Sequence, residues 1–207
     1  MTAGAGRAAG AGGSAGPGGA AEPGGAAEAS PKARARAPAG APRTAEKDAA
    51  AGKPGAKRWY FEDFQPGQAL DLGERTVTEA EIVAFAREFD PQSFHVDARA
   101  AQDSPFGGLI ASGWHTCSMM MRMVVDGLLV AAAGMGSPGL DGVRWLQPVR
   151  AGDTLRVRHI TRQVKASGTR PDRGVVWSTW IAANQHGVDV CTVDAMSMVG
   201  RRPARED

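Results

Sequence analysis

The sequence predicts an α+β domain in which an antiparallel sheet wraps one long central helix, preceded by a disordered tail. Three observations carry this. Residues 1–57 contain 21 Ala, 13 Gly and 6 Pro but no Val, Ile, Leu, Phe, Tyr or Trp. Such a segment has nothing to bury against the roughly 1–2 kcal/mol per residue that backbone ordering costs. A later stretch, beginning near Ser112, is apolar on nearly every side of a helix, which suits a helix surrounded by other structure. From Gly142 onward, apolar residues recur with a period of two, the spacing of strands. All 5 Trp, all 6 Phe and the single Tyr lie after residue 57, enough for one ordinary domain over residues 58–203.

The elements follow in order. An aromatic lead-in, Trp59 to Phe64, precedes Gln65-Pro66-Gly67-Gln68, where Pro followed by Gly signals a turn. A short strand runs through Leu70 and Leu72 to Val77. Thr78-Glu79-Ala80-Glu81 has capping-box spacing, and Ile82, Phe85, Ala86 and Phe89 continue it at i, i+3, i+4 and i+7. The helix ends where Pro91 disfavours helical geometry at Asp90. Residues 90–112 read as mostly irregular, with a helical turn or two over Ala98 to Gln102 capped by Asp97. The central helix then runs from Ser112-Gly113 to about Ala132, with Met119, Met120, Met121, Met123, Val124, Val125, Leu128 and Leu129 distributed around it. About four antiparallel strands follow. Leu155 and Val157 alternate with Arg156 and Arg158, and hairpin signals fall at Gly168 to Gly174 and Asn184 to Gly187.

Charge narrows the function. Residues 1–57 hold 8 Lys/Arg and 4 Asp/Glu of the chain's 24 and 22, leaving 16 against 18 for residues 58–207. The basic excess therefore belongs to the tail, and a nucleic-acid-binding body is not expected. The tail lacks the apolar core of a secretory signal and is interrupted by Glu22, Glu28, Glu46 and Asp48, unlike a transit peptide. Cytoplasmic residence is the expectation. The longest apolar stretch, Trp114 to Val130, includes His115, Arg122 and Asp126, so it reads as a buried helix and not a membrane span. Cys117 and Cys191 stand alone in apolar runs, with neither a disulfide scaffold nor zinc-site spacing.

The densest cluster of reactive groups is Phe89-Asp90-Pro91-Gln92-Ser93-Phe94-His95-Val96-Asp97. Asp90 and His95, on a non-helical segment, are placed to hydrogen-bond one water, and imidazole exchanges protons near neutral pH. The rival reading makes Asp90 a turn cap and His95 a satisfied core residue. Phe106 to His115 is glycine-rich but matches neither phosphate-cradling fingerprint. It offers instead a helix N-terminus at Gly113, whose small size lets a ligand carbonyl oxygen approach a free N–H; tight packing is the alternative. His115 reads as a core or interface histidine. The methionine run reads as core filling, or as an adaptable acyl pocket. Arg156 and Arg158 solvate a sheet face, or receive coenzyme phosphates.

Taken together, these residues resemble the MaoC-like dehydratase family, which includes the R-specific enoyl-CoA hydratases and has the hotdog fold. The resemblance spans about residues 59–200 and rests on Phe61-Glu62-Asp63-Phe64-Gln65-Pro66-Gly67, the helix ending at Phe89, the Asp90 to Asp97 segment, Phe106 to His115, and Gln147 to Leu155. Many members have Asn-Pro where this chain has Gln92-Ser93, and some place a serine where it has Met121. The resemblance implies that Asp90 and His95 activate water and that the Gly113 amide binds a thioester oxygen. The implied reaction is reversible hydration of a trans-2-enoyl-CoA to an R-3-hydroxyacyl-CoA. It needs no metal and no cofactor beyond the coenzyme A of the acyl-CoA substrate, and it implies a homodimer. A hotdog thioesterase attacking C1, or an acyl-CoA-binding module without chemistry, are the alternatives.

Overall fold

A computed structural model describes residues 58–204; the tail expected over residues 1–57 lies outside the described residues. Strand β1 (Ala69–Thr76) leads into helix α1 (Glu79–Phe89), two short helices α2 (Ser93–Val96) and α3 (Ala98–Gln102), and the central helix α4 (Gly113–Gly127). Strands β2 (Gly139–Trp145), β3 (Thr154–Ala166), β4 (Arg173–Ala183) and β5 (Asp189–Gly200) complete the sheet. Its order is β1-β3-β4-β5-β2, with every neighbouring pair antiparallel.

Local chemistry explains the boundaries. The turn before β1 closes with Gln68 N–H donating to the Gln65 carbonyl at 3.0 Å, and Gly67 takes the left-handed φ of +85° that favours glycine. At the start of α1, Glu81 N–H donates to Thr78 Oγ1 at 3.2 Å, while Thr78 N–H donates to Glu81 Oε2 at 3.0 Å. These reciprocal bonds satisfy two amides that lack helical partners. Ile82 and Ala86 then reach the core. Phe89, the last member of the expected stripe, is instead 63% exposed and stacks on Phe85.

Three expectations need correction. His95 does not sit on a non-helical segment but on α2. Pro91 prevents α1 from continuing, yet Gln92 is extended and a new turn starts immediately, with His95 N–H donating to the Gln92 carbonyl at 2.9 Å. Helix α4 ends at Gly127 and not near Ala132, and residues Leu129–Ala131 form a separate 3-10 turn. The Ala131 carbonyl there accepts from the backbone N–H groups of Arg58 and Trp59. Nor is α4 wrapped on all sides. Met119, Met120, Met123 and Val124 are buried, whereas Trp114, Ser118 and Met121, at i, i+4 and i+7, form an uncovered stripe.

On β3 the alternation holds. Leu155, Val157, His159 and Thr161 face the core, while Arg156 and Arg158 point outward and pair with Asp71 and Asp189. Both arginines lie outside the two cavities described below. Cys117 and Cys191 are free thiols. Among the described residues, no helix is long and apolar enough to cross a membrane.

Candidate active site

Asp90 is the residue after α1, positioned by its own N–H bond to the Ala86 carbonyl at 2.9 Å. His95 lies one short turn later and is 5% exposed. Its ring is fixed at one end, because Nδ1 lies 2.8 Å from the Ile110 carbonyl. A carbonyl can only accept, so Nδ1 carries a proton, and whenever the ring is neutral Nε2 presents a lone pair. That lone pair faces Asp90 Oδ2 at 3.4 Å. Two acceptors turned toward one point repel unless a proton lies between them. A water donating one O–H to each satisfies both, and leaves its own lone pairs free to attack.

The carboxylate is held by donors. Ser112 Oγ donates to Asp90 Oδ2 at 2.7 Å and Gln92 Nε2 donates to Oδ1 at 2.8 Å. These two bonds, the serine's first, hold Asp90 below the usual carboxylate range, with a smaller contribution from the charge of His95 and against the opposing effect of burial. Asp90 is therefore anionic at neutral pH.

Gly113 opens α4 and lines the same cleft as Asp90 and His95, a space of about 480 Å³ that also includes Phe94, Trp114 and Trp145. Ser112 Oγ accepts from Trp114 N–H at 3.2 Å, capping the helix. The Gly113 N–H has no acceptor among the described residues, so it is available to a ligand at the positive end of the helix dipole. Close packing also demands glycine here. A Cβ would fall 2.5 Å from Trp145 Cε2, and the Trp145 indole N–H donates to the Gly113 carbonyl at 2.9 Å.

The three residues singled out from the sequence, Asp90, His95 and Gly113, thus converge on one cleft. The others do not. Asp97 caps α3 by accepting from the N–H groups of Arg99 and Ala100. His115 packs flat on Phe85, with ring centroids 4.8 Å apart, and burial lowers its pKa. Ser112 and Trp145 were missed. Ser112 was legible only as a helix start, because its bond to Asp90 spans 22 positions; nothing in the local sequence marks Trp145 as a wall of the cleft.

A second cavity of about 540 Å³ lies between α4 and the concave face of the sheet. It is bordered by the uncovered stripe of α4 and shares Trp114 with the cleft. Of the methionine run, only Met121 reaches it.

A curved antiparallel sheet around a central helix, with this cleft at the helix N-terminus, is the hotdog fold. The family model described as MaoC like domain matches residues 63–178, and the chain belongs to that family. The chain is similar to a crystal structure of a MaoC-like dehydratase from Rhodospirillum rubrum. The two are 40% identical with a TM-score of 0.64, over 70% of this chain and 99% of that one. Protein MaoC of Klebsiella aerogenes is 35% identical over 124 residues, which cover 58% of this chain but 36% of that protein. Nodulation protein N of Rhizobium leguminosarum bv. viciae is 38% identical over 107 residues, 49% of this chain and 66% of its own length. The chain thus spans about a third of the first relative and just under two thirds of the second.

Proposed function

We propose that this protein catalyses the reversible hydration of a trans-2-enoyl-CoA to an R-3-hydroxyacyl-CoA. The observation that carries the reading is that Asp90 Oδ2 and His95 Nε2 face each other at 3.4 Å, with the far side of the imidazole tied to the Ile110 carbonyl. The similar protein from Rhodospirillum rubrum is described as a dehydratase, which supports the reaction class.

In this reading a water is held between the two acceptors. His95 Nε2 takes one of its protons as the oxygen attacks C3, and the resulting imidazolium returns a proton to C2 on the same face. Asp90 accepts from the second O–H and stabilises the imidazolium, a division of labour set by its lowered proton affinity. Negative charge moves onto the thioester oxygen during attack, where the Gly113 N–H meets it. Losing such a donor typically costs about 3–4 kcal/mol of transition-state stabilisation. Adding water to an activated alkene moves only water and protons, so the reaction calls on no metal and no redox cofactor. The acyl chain passes Trp114 into the apolar cavity.

The same reading includes a homodimer. Strand β2 is an edge strand and carries exposed Leu140 and Trp145, a surface that invites pairing with a second copy. Light scattering should give twice the chain mass; a 21.5 kDa particle would contradict it.

The test is a paired assay. Crotonyl-CoA and longer enoyl-CoA esters should lose their enoyl absorbance, while saturated acyl-CoA esters release no free thiol. Thiol release without alkene consumption would replace the hydratase by a thioesterase, and binding with neither signal would leave a non-catalytic module.

A further inference from the structure

The polar groups around the apolar cavity are unequally satisfied. Ser118 Oγ donates to the Trp114 carbonyl at 2.8 Å, and Ser137 Oγ donates to the Met196 carbonyl at 2.6 Å. These hydroxyls are already paired with backbone. Ser197 also lines the cavity without a side-chain partner but is only half-buried; His159 and Ser178, on the sheet floor, are buried. His159 is 4% exposed and its Nδ1 has no hydrogen-bond partner among the described residues. Ser178 is 3% exposed and its hydroxyl likewise has none. The two are diagonal neighbours, since His159 stands opposite Trp180 and Ser178 opposite Thr161 in the β3–β4 pairing. Diagonal side chains on one sheet face lie within mutual reach of a small group placed between them.

Among the described residues, His159 Nδ1 and Thr161 Oγ1 are buried without partners, and of these two residues His159 lines the cavity, beside the unpaired Ser178 hydroxyl. Buried polar groups without partners are uncommon and costly, so this pair on the cavity floor marks a place where a ligand can supply a partner. We propose that this cavity receives the chain of the thioester and that His159 and Ser178 select chains bearing a neutral oxygen, a hydroxyl or a keto group, over plain hydrocarbon chains. The proposal rests on the acyl-CoA reading given above and specifies its substrate class.

Charge excludes the acidic alternative. Among the described residues, no Lys, Arg, Asp or Glu lines the cavity, and burial pushes the His159 imidazole down to about 4, so the ring is neutral at pH 7. A carboxylate at the chain end would be buried without a counter-charge. A neutral imidazole offers one N–H and one lone pair, and Ser178 offers a donor and two acceptor positions. Both complement a hydroxyl, and their donors complement a ketone. Plain methylenes would instead seal both groups away from any partner.

The experiment is calorimetric titration of the full chain with saturated acyl-CoA esters of equal length, carrying no oxygen or a single hydroxyl or keto group moved along the chain beyond C3, so that no ester is itself the product of the proposed hydration. One position should bind roughly tenfold more tightly than the plain ester, the increment expected for a hydrogen bond that relieves a buried unpaired group. His159→Phe should abolish the preference. Ser178→Ala, a smaller change whose fold is checked by circular dichroism, should reduce it several-fold. A plain ester that binds as tightly as every oxygenated isomer overturns the proposal. Saturated esters are not hydrated, so the two readings fail separately. Preference without enoyl hydration overturns the proposed reaction alone, and hydration without preference overturns this inference alone.

Discussion

Replacing Ser112 by Ala removes one oxygen that does two jobs. Its hydroxyl donates to Asp90 Oδ2 at 2.7 Å and accepts from Trp114 N–H at 3.2 Å. The first distance lies in the short, charge-assisted range and the second at the long edge of ordinary bonds, so the carboxylate contact dominates. A hydrogen bond to a charged group contributes about 1.5–3 kcal/mol. The Asp90 side chain is 21% exposed, so water replaces part of the lost bond and the lower end applies. Losing the cap adds about 1 kcal/mol, for a total of roughly 2–3 kcal/mol, read from urea unfolding followed by tryptophan fluorescence. The kinetic effect is separate. The serine bond is the largest cause of the lowered Asp90 pKa, so its loss raises that pKa toward the ordinary carboxylate value. Without that donor the carboxylate is less firmly held beside His95, and enoyl-CoA turnover at neutral pH should fall about tenfold, the rate equivalent of roughly 1.4 kcal/mol. A variant destabilised as expected, but with wild-type turnover, would show that Ser112 is only a helix cap.

Two further outcomes follow from the same contacts. Gly113→Ala places a methyl 2.5 Å from Trp145 Cε2 and 2.6 Å from Nε1, an overpacking that typically costs about 1–3 kcal/mol. Adding Trp145→Ala should recover part of that loss, and an unchanged melting temperature for Gly113→Ala alone would refute the close contact. Stability should also fall between pH 6.5 and about 4. His159 titrates at about 4 in the folded protein against 6.5 ordinarily, so the unfolded chain binds the proton first and gains by up to roughly 3 kcal/mol as the pH drops through that window. His115, lowered by burial, acts in the same direction. The gap between urea midpoints at pH 7 and pH 4.5 should narrow in His159→Phe, with His115 sustaining the remainder; an equal pH dependence in that variant would place the destabilisation elsewhere.

Much of this fold was legible because its signals are local. The Thr78–Glu81 capping box, the Asp97 cap and the two-residue alternation of β3 each depend on neighbours a few positions apart, and each appears as expected. The misreadings concern distant partners. Helix α4 looked apolar all round, but which of its faces the sheet covers depends on where β2 and β5 end up, and Met121 was left facing a cavity. The site divides the same way. Asp90, His95 and Gly113 could be picked out by residue type and helix boundaries. The groups that give them direction, Ile110 through its carbonyl, Ser112 through its hydroxyl and Trp145 through its indole, act across 15, 22 and 32 positions. Gln92, a departure from the Asn-Pro of many relatives, turns out to donate to Asp90 from two residues away, so the carboxylate keeps a donor on that side.

The central claim is that Asp90 and His95 share one water and perform the hydration together. The most direct measurement is turnover of an enoyl-CoA by Asp90→Asn and His95→Ala, made beside circular dichroism and binding of a saturated acyl-CoA. Each variant should lose turnover by orders of magnitude while fold and binding persist. Wild-type turnover in both would contradict the account.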